Sequence, residues 1–417
     1  MNKLIFTTLR GRRAAVLASE KRILQFEFEE HEAAEQIGTI YIGKVRNVVK
    51  NLNAAFVEYK PGVNGYYSLN DNRIHTFADG TRSDKALKSG DEIVVQVSGA
   101  AIKTKDAVLS GELTLTGRYT AVISGEKNAP LLGISTKIKD KKWRENFKEK
   151  WEAACSDELS PIQPEFRYII RTNAYEAEFL DVLKEASSLS LCLTKILSDA
   201  AFRTVHSVLY HPDSFAISYV RNMRLEHLTE IVTDDPEVFS ELKGSGLCEC
   251  CDEKKSNHEN TYSCKLRFYE DSYSLASLYN LESALNRALG KQVWLKSGGY
   301  LVIEPTEAMT VIDVNTGKNV DKKAPEQIYF KTNMEAAEEI ALQLRLRNLS
   351  GIIMIDFIDM KEDIHNTELL NHFRQYLNLD VVKTTLVDMT PLGIVEVTRQ
   401  KGKRPLHEQI GKSCNNY

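Results

Sequence analysis

At 417 residues the chain has room for two to four domains of about 150 residues each, and it is long enough to bury several cores without disulfide help. Its 54 Lys and Arg against 58 Asp and Glu leave a formal charge of −4, which excludes a protein that wraps nucleic acid by bulk charge; any nucleic-acid site has to be local. Hydrophobic residues at 42% and charged residues at 27% exclude the disordered and membrane classes.

The first apolar run, Leu4 to Leu9, is too short for the core of an export signal and is followed directly by Arg10, Arg12 and Arg13. No stretch approaches the roughly 18 apolar residues of a membrane span. The seven cysteines are odd in number and four of them lie between Cys248 and Cys264, a pattern that suits a reducing compartment. The expectation is a cytoplasmic protein with no membrane partner.

Residues 1–30 read as short strands joined by a polar turn, with Ala14 to Ala18 and Ile23 to Phe28 largely apolar, too little to close a core alone. Residues 205–277, an irregular α/β segment, are their expected partner. Between Ile37 and Tyr119 the pattern changes to short alternating strands, 39–43, 54–58, 65–69, 92–97 and 107–109, with turn signals between them. Five strands in about eighty residues predict a small closed barrel of OB type.

From Pro130 to Val205 strands and helices mix. Residues 137–150 carry a local net charge of +4 and read as a solvated amphipathic helix around Trp143, Phe147 and Trp151. A strand at 167–170 breaks at Arg171-Thr172-Asn173, and an apolar-periodic helix is expected to start near Ala174. Residues 244–264 form a loop rich in Cys, Lys, Glu and Ser.

The most regular part begins at Val293: strands at 299–304, 309–315 and 352–357 and helices at 333–348 and 366–377 predict a layered α/β domain. Thr332 and Glu335 stand at capping-box spacing for the first of those helices. Residues 399–417 are basic, contain glycine and read as a tail.

Two strands end alike, in Val311-Ile312-Asp313-Val314-Asn315 and Ile353-Met354-Ile355-Asp356-Phe357. A carboxylate directly after an apolar run is costly to bury unless it is paired or bound to a cation. Asn315, two residues beyond Asp313, shares its face of the pleat. Two carboxylates and an amide oxygen, with no His or Cys converging, make a hard-oxygen site suited to a mostly hydrated Mg²⁺ or Mn²⁺. Such an ion orients a phosphodiester, lowers the pKa of a bound water and stabilises the developing oxyanion. On spacing alone, two aspartates that merely cap the following turns explain the pattern equally well.

Longer motifs decide between these readings. Residues 297–308 (SGGYLVIEPTEA), Ile312-Asp313-Val314-Asn315, Asn333-Met334-Glu335-Ala336-Ala337, Arg345-Leu346-Arg347 and Ile355-Asp356-Phe357-Ile358-Asp359-Met360 resemble the catalytic core of the bacterial ribonuclease E/G family. The resemblance extends to Asn53-Ala54-Ala55-Phe56-Val57, Ile170-Arg171-Thr172 and Val395-Glu396-Val397-Thr398-Arg399, so it covers nearly the whole chain.

The resemblance implies a Mg²⁺-dependent endoribonuclease for single-stranded RNA that leaves 5′-phosphate and 3′-hydroxyl ends. It implies that Asp313 and Asp356 hold the metal and that Asn315 assists them. The implied fold is a multi-domain assembly of α/β and β parts. An RNase H-like subdomain (1–35 and 207–277) is interrupted by an OB-fold barrel (36–118) and a 5′-sensor domain (119–206), and a DNase I-like α/β catalytic domain (278–400) precedes the basic tail (401–417). Phe56 and Tyr66 match positions that stack RNA bases, and Lys105 a basic position beside them; an aromatic ring contributes about 1–3 kcal/mol per stacked base whatever the sequence. Phe56 in an apolar strand reads equally as a core residue. Arg171 and Thr172 match a pocket for a 5′-monophosphate, for which a guanidinium fork, a hydroxyl and helix-start N–H groups are suited.

In one place the sequence departs from the family. Members usually carry a Cys-Pro-x-Cys-like pair after the catalytic domain, through which two chains share one zinc; here Cys414 stands alone, and one thiolate per chain cannot complete a tetrahedral site. The expectation is no zinc, with any homodimer formed through another surface. Without the long scaffold tail of larger members, the chain is expected to resemble the shorter, ribonuclease G-like type. The loop with Cys248, Cys250, Cys251, His258 and Cys264 matches no standard zinc spacing and reads as a surface insertion with unligated thiols. Two other functions remain to be weighed: an RNA-binding protein of this family that has lost hydrolysis, against which the retention of Asp313, Asn315 and Asp356 argues, and a DNA nuclease.

Overall fold

The computed structural model describes residues 2–29, 37–99, 101, 106–124, 132–156, 162–223, 228–245, 247, 249–250, 264–317, 325–380 and 382–410. Lys105, Cys248, Cys251, His258 and Cys414 lie outside them. The chain divides into two compact units, one made of residues 31–224 and the other of residues 1–30 with 225–417.

In the 31–224 unit, strands Ile40–Val49, Ala54–Lys60, Val63–Ser68, Ala107–Ser110 and Glu92–Gly99 pair in that order, and the last returns to the first. This is a closed five-stranded, OB-like barrel, parallel only where 63–68 meets 107–110. Alternation drives it: Ala55, Val57, Tyr59 and Tyr67 point inward with Val95, Val97 and Leu109. A four-stranded sheet (Thr114–Thr116, Thr120–Ile123, Arg167–Ile170, Leu132–Ile134) follows, covered by helices Lys141–Ser156 and Phe179–Ala200. Phe147 and Trp151 are buried at i, i+4 spacing, as the amphipathic pattern predicts. The second helix starts at Phe179 rather than near Ala174, because Thr172–Glu176 forms a separate 3₁₀ turn that closes before it.

In the other unit the N-terminal strands Asn2–Leu9, Arg12–Ser19 and Ile23–Phe28 form an antiparallel meander. Strand 2–9 pairs in parallel with Leu228–Thr233, and Lys265–Phe268 and Glu249–Cys250 extend the sheet. Cys264 is buried, a correction to its reading as a surface thiol, because it leads directly into strand 265–268. The basic C-terminal stretch is likewise not all tail: Leu406 is buried in this core, and the Gln409 side chain accepts the N–H of Phe28.

A second six-stranded sheet runs Gln292–Trp294, Tyr300–Pro305, Met309–Asn315, Gly351–Asp356, Ile394–Arg399, Thr384–Met389. Helices Pro325–Leu346 and Asp363–Leu377 cover one face, where Ile312, Val314, Ile353, Ile355, Val395 and Val397 meet Ala337, Ile340, Leu344 and Phe373. The first of these helices begins eight residues before Asn333. Thr332 and Glu335 are therefore inside it and form no capping box; Thr332 is buried and Glu335 is used elsewhere.

Candidate active site

The site is built on the face of this second sheet opposite the two helices, where alternate residues are exposed. Strand 309–315 alternates exposed and buried residues, with Met309, Val311 and Asp313 outward and Thr310, Ile312 and Val314 inward. Strand 351–356 is its parallel neighbour, and Asp313 is the register partner of Asp356. Both aspartates are exposed, so the premise that they are charges sunk behind apolar runs is corrected: Ile312, Val314, Ile353 and Ile355 face the core, while Val311 and Ile352 share the open face with the aspartates. The Asn315 side-chain amide donates from Nδ2 to Asp313 Oδ2 at 2.7 Å, leaving its Oδ1 as an acceptor on the same side.

Asp313, Asn315, Thr316, Tyr329, Asp356 and Asp359 line an open cleft of about 320 Å³. Desolvation in the cleft and the neighbouring carboxylates of Asp313 and Asp359 hold the Asp356 carboxyl above its ordinary pKa. Crowded carboxylates of this kind are relieved by a cation. The donor set is entirely oxygen, and among the described residues no three His, Cys, Asp or Glu side chains converge as a ready metal cage. Two carboxylates with the remaining positions left to water are what Mg²⁺ takes up most readily. The residues fit a hard divalent cation.

Buried contacts fix the rim. Asn333 is fully buried; its Nδ2 donates to the carbonyl of Ile358 at 2.8 Å and its Oδ1 accepts the Ile358 N–H at 3.0 Å, which locks the loop between Asp356 and Asp359. Glu335 accepts the backbone N–H groups of Lys296 and Ser297. Gly317, with φ +65°, packs so tightly on the carbonyl of Gly298 that a Cβ would come within 2.2 Å of it. Asn333 carries no role in the sequence reading and Glu335 only that of a cap, since their partners lie 25 to 39 residues away, and Asp359 joins the cleft beside Asp356 without having been singled out.

In the barrel, Phe56 and Tyr66 are register partners on adjacent antiparallel strands, with ring centroids 6.3 Å apart in an edge-on arrangement. Both are half-buried, whereas their neighbours Ala55, Val57 and Tyr67 fill the interior. The core reading of Phe56 therefore gives way to a place on the outer face. Tyr66 also stands beside exposed Val108.

Arg171 and Thr172 follow strand 167–170. Arg171 donates from one terminal nitrogen to the carbonyls of Gly117 and Arg118 and from the other to Asn222 Oδ1 at 2.7 Å. Burial, and then the nearby Arg221, lower its pKa from the usual arginine value. Its hydrogen-bond acceptors are neutral, and the Glu185 carboxylate acts on it only through its field. The Thr172 hydroxyl lies 3.2 Å from Ser135 Oγ. The turn that holds Arg171 is fixed by Glu185, whose carboxylate accepts the N–H groups of Arg118, Tyr119 and Thr120 at 2.6, 2.7 and 2.8 Å. That cap needs Gly117, where a Cβ would meet the Glu185 carboxylate at 2.4 Å.

Residues 114–402 match the sequence profile of the Ribonuclease E/G family. The chain belongs to this family. It is 31% identical over 402 residues to Ribonuclease G of Escherichia coli K12, covering 94% of this chain and 78% of that protein. It is 33% identical over 387 residues to Ribonuclease G of Haemophilus influenzae, covering 91% and 75%. It is 28% identical over 409 residues to Ribonuclease E of Nostoc, covering 96% of this chain and 57% of that longer protein. No helix among the described residues is long and apolar enough to cross a membrane.

Proposed function

We propose that this member of the ribonuclease E/G family hydrolyses single-stranded RNA at Asp313, Asn315 and Asp356, with Mg²⁺ or Mn²⁺ as the cation, and releases 5′-phosphate and 3′-hydroxyl ends. The enzyme class, an endoribonuclease of the E/G type, comes with the family. The observation that carries the site is the register of Asp313 with Asp356 on an exposed sheet face, joined by Asn315 through its bond to Asp313.

A divalent cation bound there supplies electrophilic stabilisation of the phosphodiester and an activated water. The chain's own residues do the rest. Asp313 and Asp356 offer the carboxylate oxygens, Asn315 holds Asp313 in place, and Asn333 keeps the loop after Asp356 from drifting. The barrel face with Phe56 and Tyr66 is the single-strand grip in this reading, with Lys105 as its basic neighbour. Arg171 and Thr172 form the pocket that favours a 5′-monophosphate, supported by a guanidinium whose hydrogen-bond acceptors are all neutral.

The domain assignment given above belongs to the same proposal. An RNase H-like part is supported by three antiparallel strands continued by parallel ones in the 1–30 and 228–268 sheet. A DNase I-like part is supported by the layered sheet that carries the aspartates. Cleavage of a 5′-labelled single-stranded RNA with and without Mg²⁺, followed by end-group analysis, tests the reading. Cation-dependent fragments with 3′-hydroxyl ends are expected; cleavage that persists in chelator or gives 2′,3′-cyclic phosphates would overturn it.

A further inference from the structure

The face that carries Asp313 and Asp356 also carries an aromatic pair with no assigned role. Along the edge strand, Leu295 turns into the core and Trp294 turns out, with 67% of its surface exposed. A single exposed apolar side chain is ordinary, and it is the pairing of this one that is informative. Trp294 is the register partner of Tyr300, with ring centroids 5.3 Å apart and planes tilted by 57°. Tyr300 is in turn the register partner of Asn315.

Directly opposed residues of antiparallel strands share a face. Trp294, Tyr300 and Asn315 therefore form one row across the sheet, and Asp313 lies two residues from its end on that same face. At about 4.8 Å per strand, the Trp294 backbone stands roughly 10 Å from that of Asn315. The turn beyond Trp294 is held by Glu335, which accepts the N–H groups of Lys296 and Ser297, and the Lys296 side chain is exposed there. An aromatic pair followed two residues later by an exposed lysine, on the sheet face of the proposed cleavage centre, has the composition of a single-strand stacking platform.

We propose that Trp294 and Tyr300 stack the base of a nucleotide adjacent to the scissile phosphate, and so set the position of the RNA in the catalytic unit independently of the barrel. The proposal rests on the nuclease reading of Asp313 and Asp356. Its occupant is a nucleobase of single-stranded RNA, taken without sequence preference, because every base offers a π-face.

A single-stranded RNA with one cut site, and the same RNA with one abasic nucleotide moved along it, form the test. For the wild type, an abasic nucleotide at one position beside the cut is expected to lower kcat/KM about five- to a hundredfold. Trp294→Ala is expected to lower kcat/KM on the intact RNA by a similar factor and to abolish the abasic effect at that position alone, while Trp294→Phe restores most of both. Because the indole is exposed, the melting temperature of Trp294→Ala should stay at the wild-type value. Wild-type turnover by Trp294→Ala, or a loss that leaves the abasic profile unchanged, would overturn the platform while the nuclease reading stands. Sedimentation covers the other occupant: if Trp294→Ala dissociates a dimer and leaves that profile intact, the face is a contact between copies and the platform is refuted. If the wild type cuts no single-stranded RNA with either Mg²⁺ or Mn²⁺, the nuclease reading itself fails and the platform falls with it.

Discussion

Asn333 and Ile358 hold each other by two reciprocal hydrogen bonds, side-chain amide to backbone carbonyl and backbone N–H to side-chain oxygen, at 2.8 and 3.0 Å. The helix residue thus acts as a backbone-like partner for the loop that follows Asp356. Asn333→Ala leaves both backbone groups unpaired at a buried site. We expect a stability loss of about 1–3 kcal/mol and an activity or cation-affinity loss of about 10- to 100-fold. Titration of cleavage against Mg²⁺ checks it: a lower stability with an unchanged cation requirement would make Asn333 a packing residue only.

Asp313→Asn and Asp356→Asn each remove one formal charge from a pair that shares a register position. Cleavage is expected to fall on the order of 10²-fold or more, with RNA binding nearly intact because the proposed function assigns most of the grip to the barrel. Filter binding and single-turnover cleavage on the same protein separate the two effects. Undiminished turnover by either variant at limiting Mg²⁺ refutes the assignment.

The parts of this molecule legible in its sequence are those whose signals are local. The barrel strands follow a period of two with turn residues between them, and each lies within a few residues of its expected place. The face shared by Asp313 and Asn315 follows from their spacing of two, and the register of Asp313 with Asp356 does not, because pairing across strands is set by the whole sheet. Thr332 and Glu335 misled for the same reason: their spacing is that of a cap, but the helix had started at Pro325 and Glu335 serves a turn 38 residues upstream. Strand 384–389 escaped notice since it is an edge strand with one buried residue, Leu386, and no clean alternation. The donor types of the candidate site are readable in the sequence; the contacts of Asn333 and Glu335 around it are not.

Phe56→Ala should weaken single-stranded RNA binding by about 1–3 kcal/mol with the melting temperature unchanged. Phe56 is half-buried outside the barrel, its ring edge-on to Tyr66, so its loss opens no interior cavity. By contrast, Tyr67, fully buried one residue along, should cost several degrees when truncated to Ala. A destabilised Phe56→Ala that binds normally per folded molecule would return the ring to a packing role.

Arg171→Ala should remove most of a preference for 5′-monophosphorylated RNA over the same RNA with a 5′-triphosphate or 5′-hydroxyl. The carbonyls of Gly117 and Arg118 fix one terminal nitrogen, and the other faces Asn222, a neutral acceptor that a phosphate can displace. A charge-assisted contact of this kind contributes about 1.5–3 kcal/mol, which corresponds to roughly ten- to a hundredfold in relative rate. A triphosphate would overfill the pocket, and a hydroxyl would leave the guanidinium with neutral hydrogen-bond acceptors only. Arg171→Lys keeps the charge and loses the fork, so it should retain part of the preference. Glu185→Gln offers a second handle: it weakens the cap on residues 118–120 and should reduce the preference without touching the phosphate. Arg171 belongs to the 31–224 unit and the aspartates to the other, so cleavage of the 5′-hydroxyl substrate should be spared in all three variants. Competition between the three substrates in one reaction measures this directly. Equal rates for all three 5′ ends in the wild type would remove the sensor and leave the nuclease, whereas loss of the 5′-hydroxyl reaction in Arg171→Ala would show that the arginine supports the fold rather than reads the end.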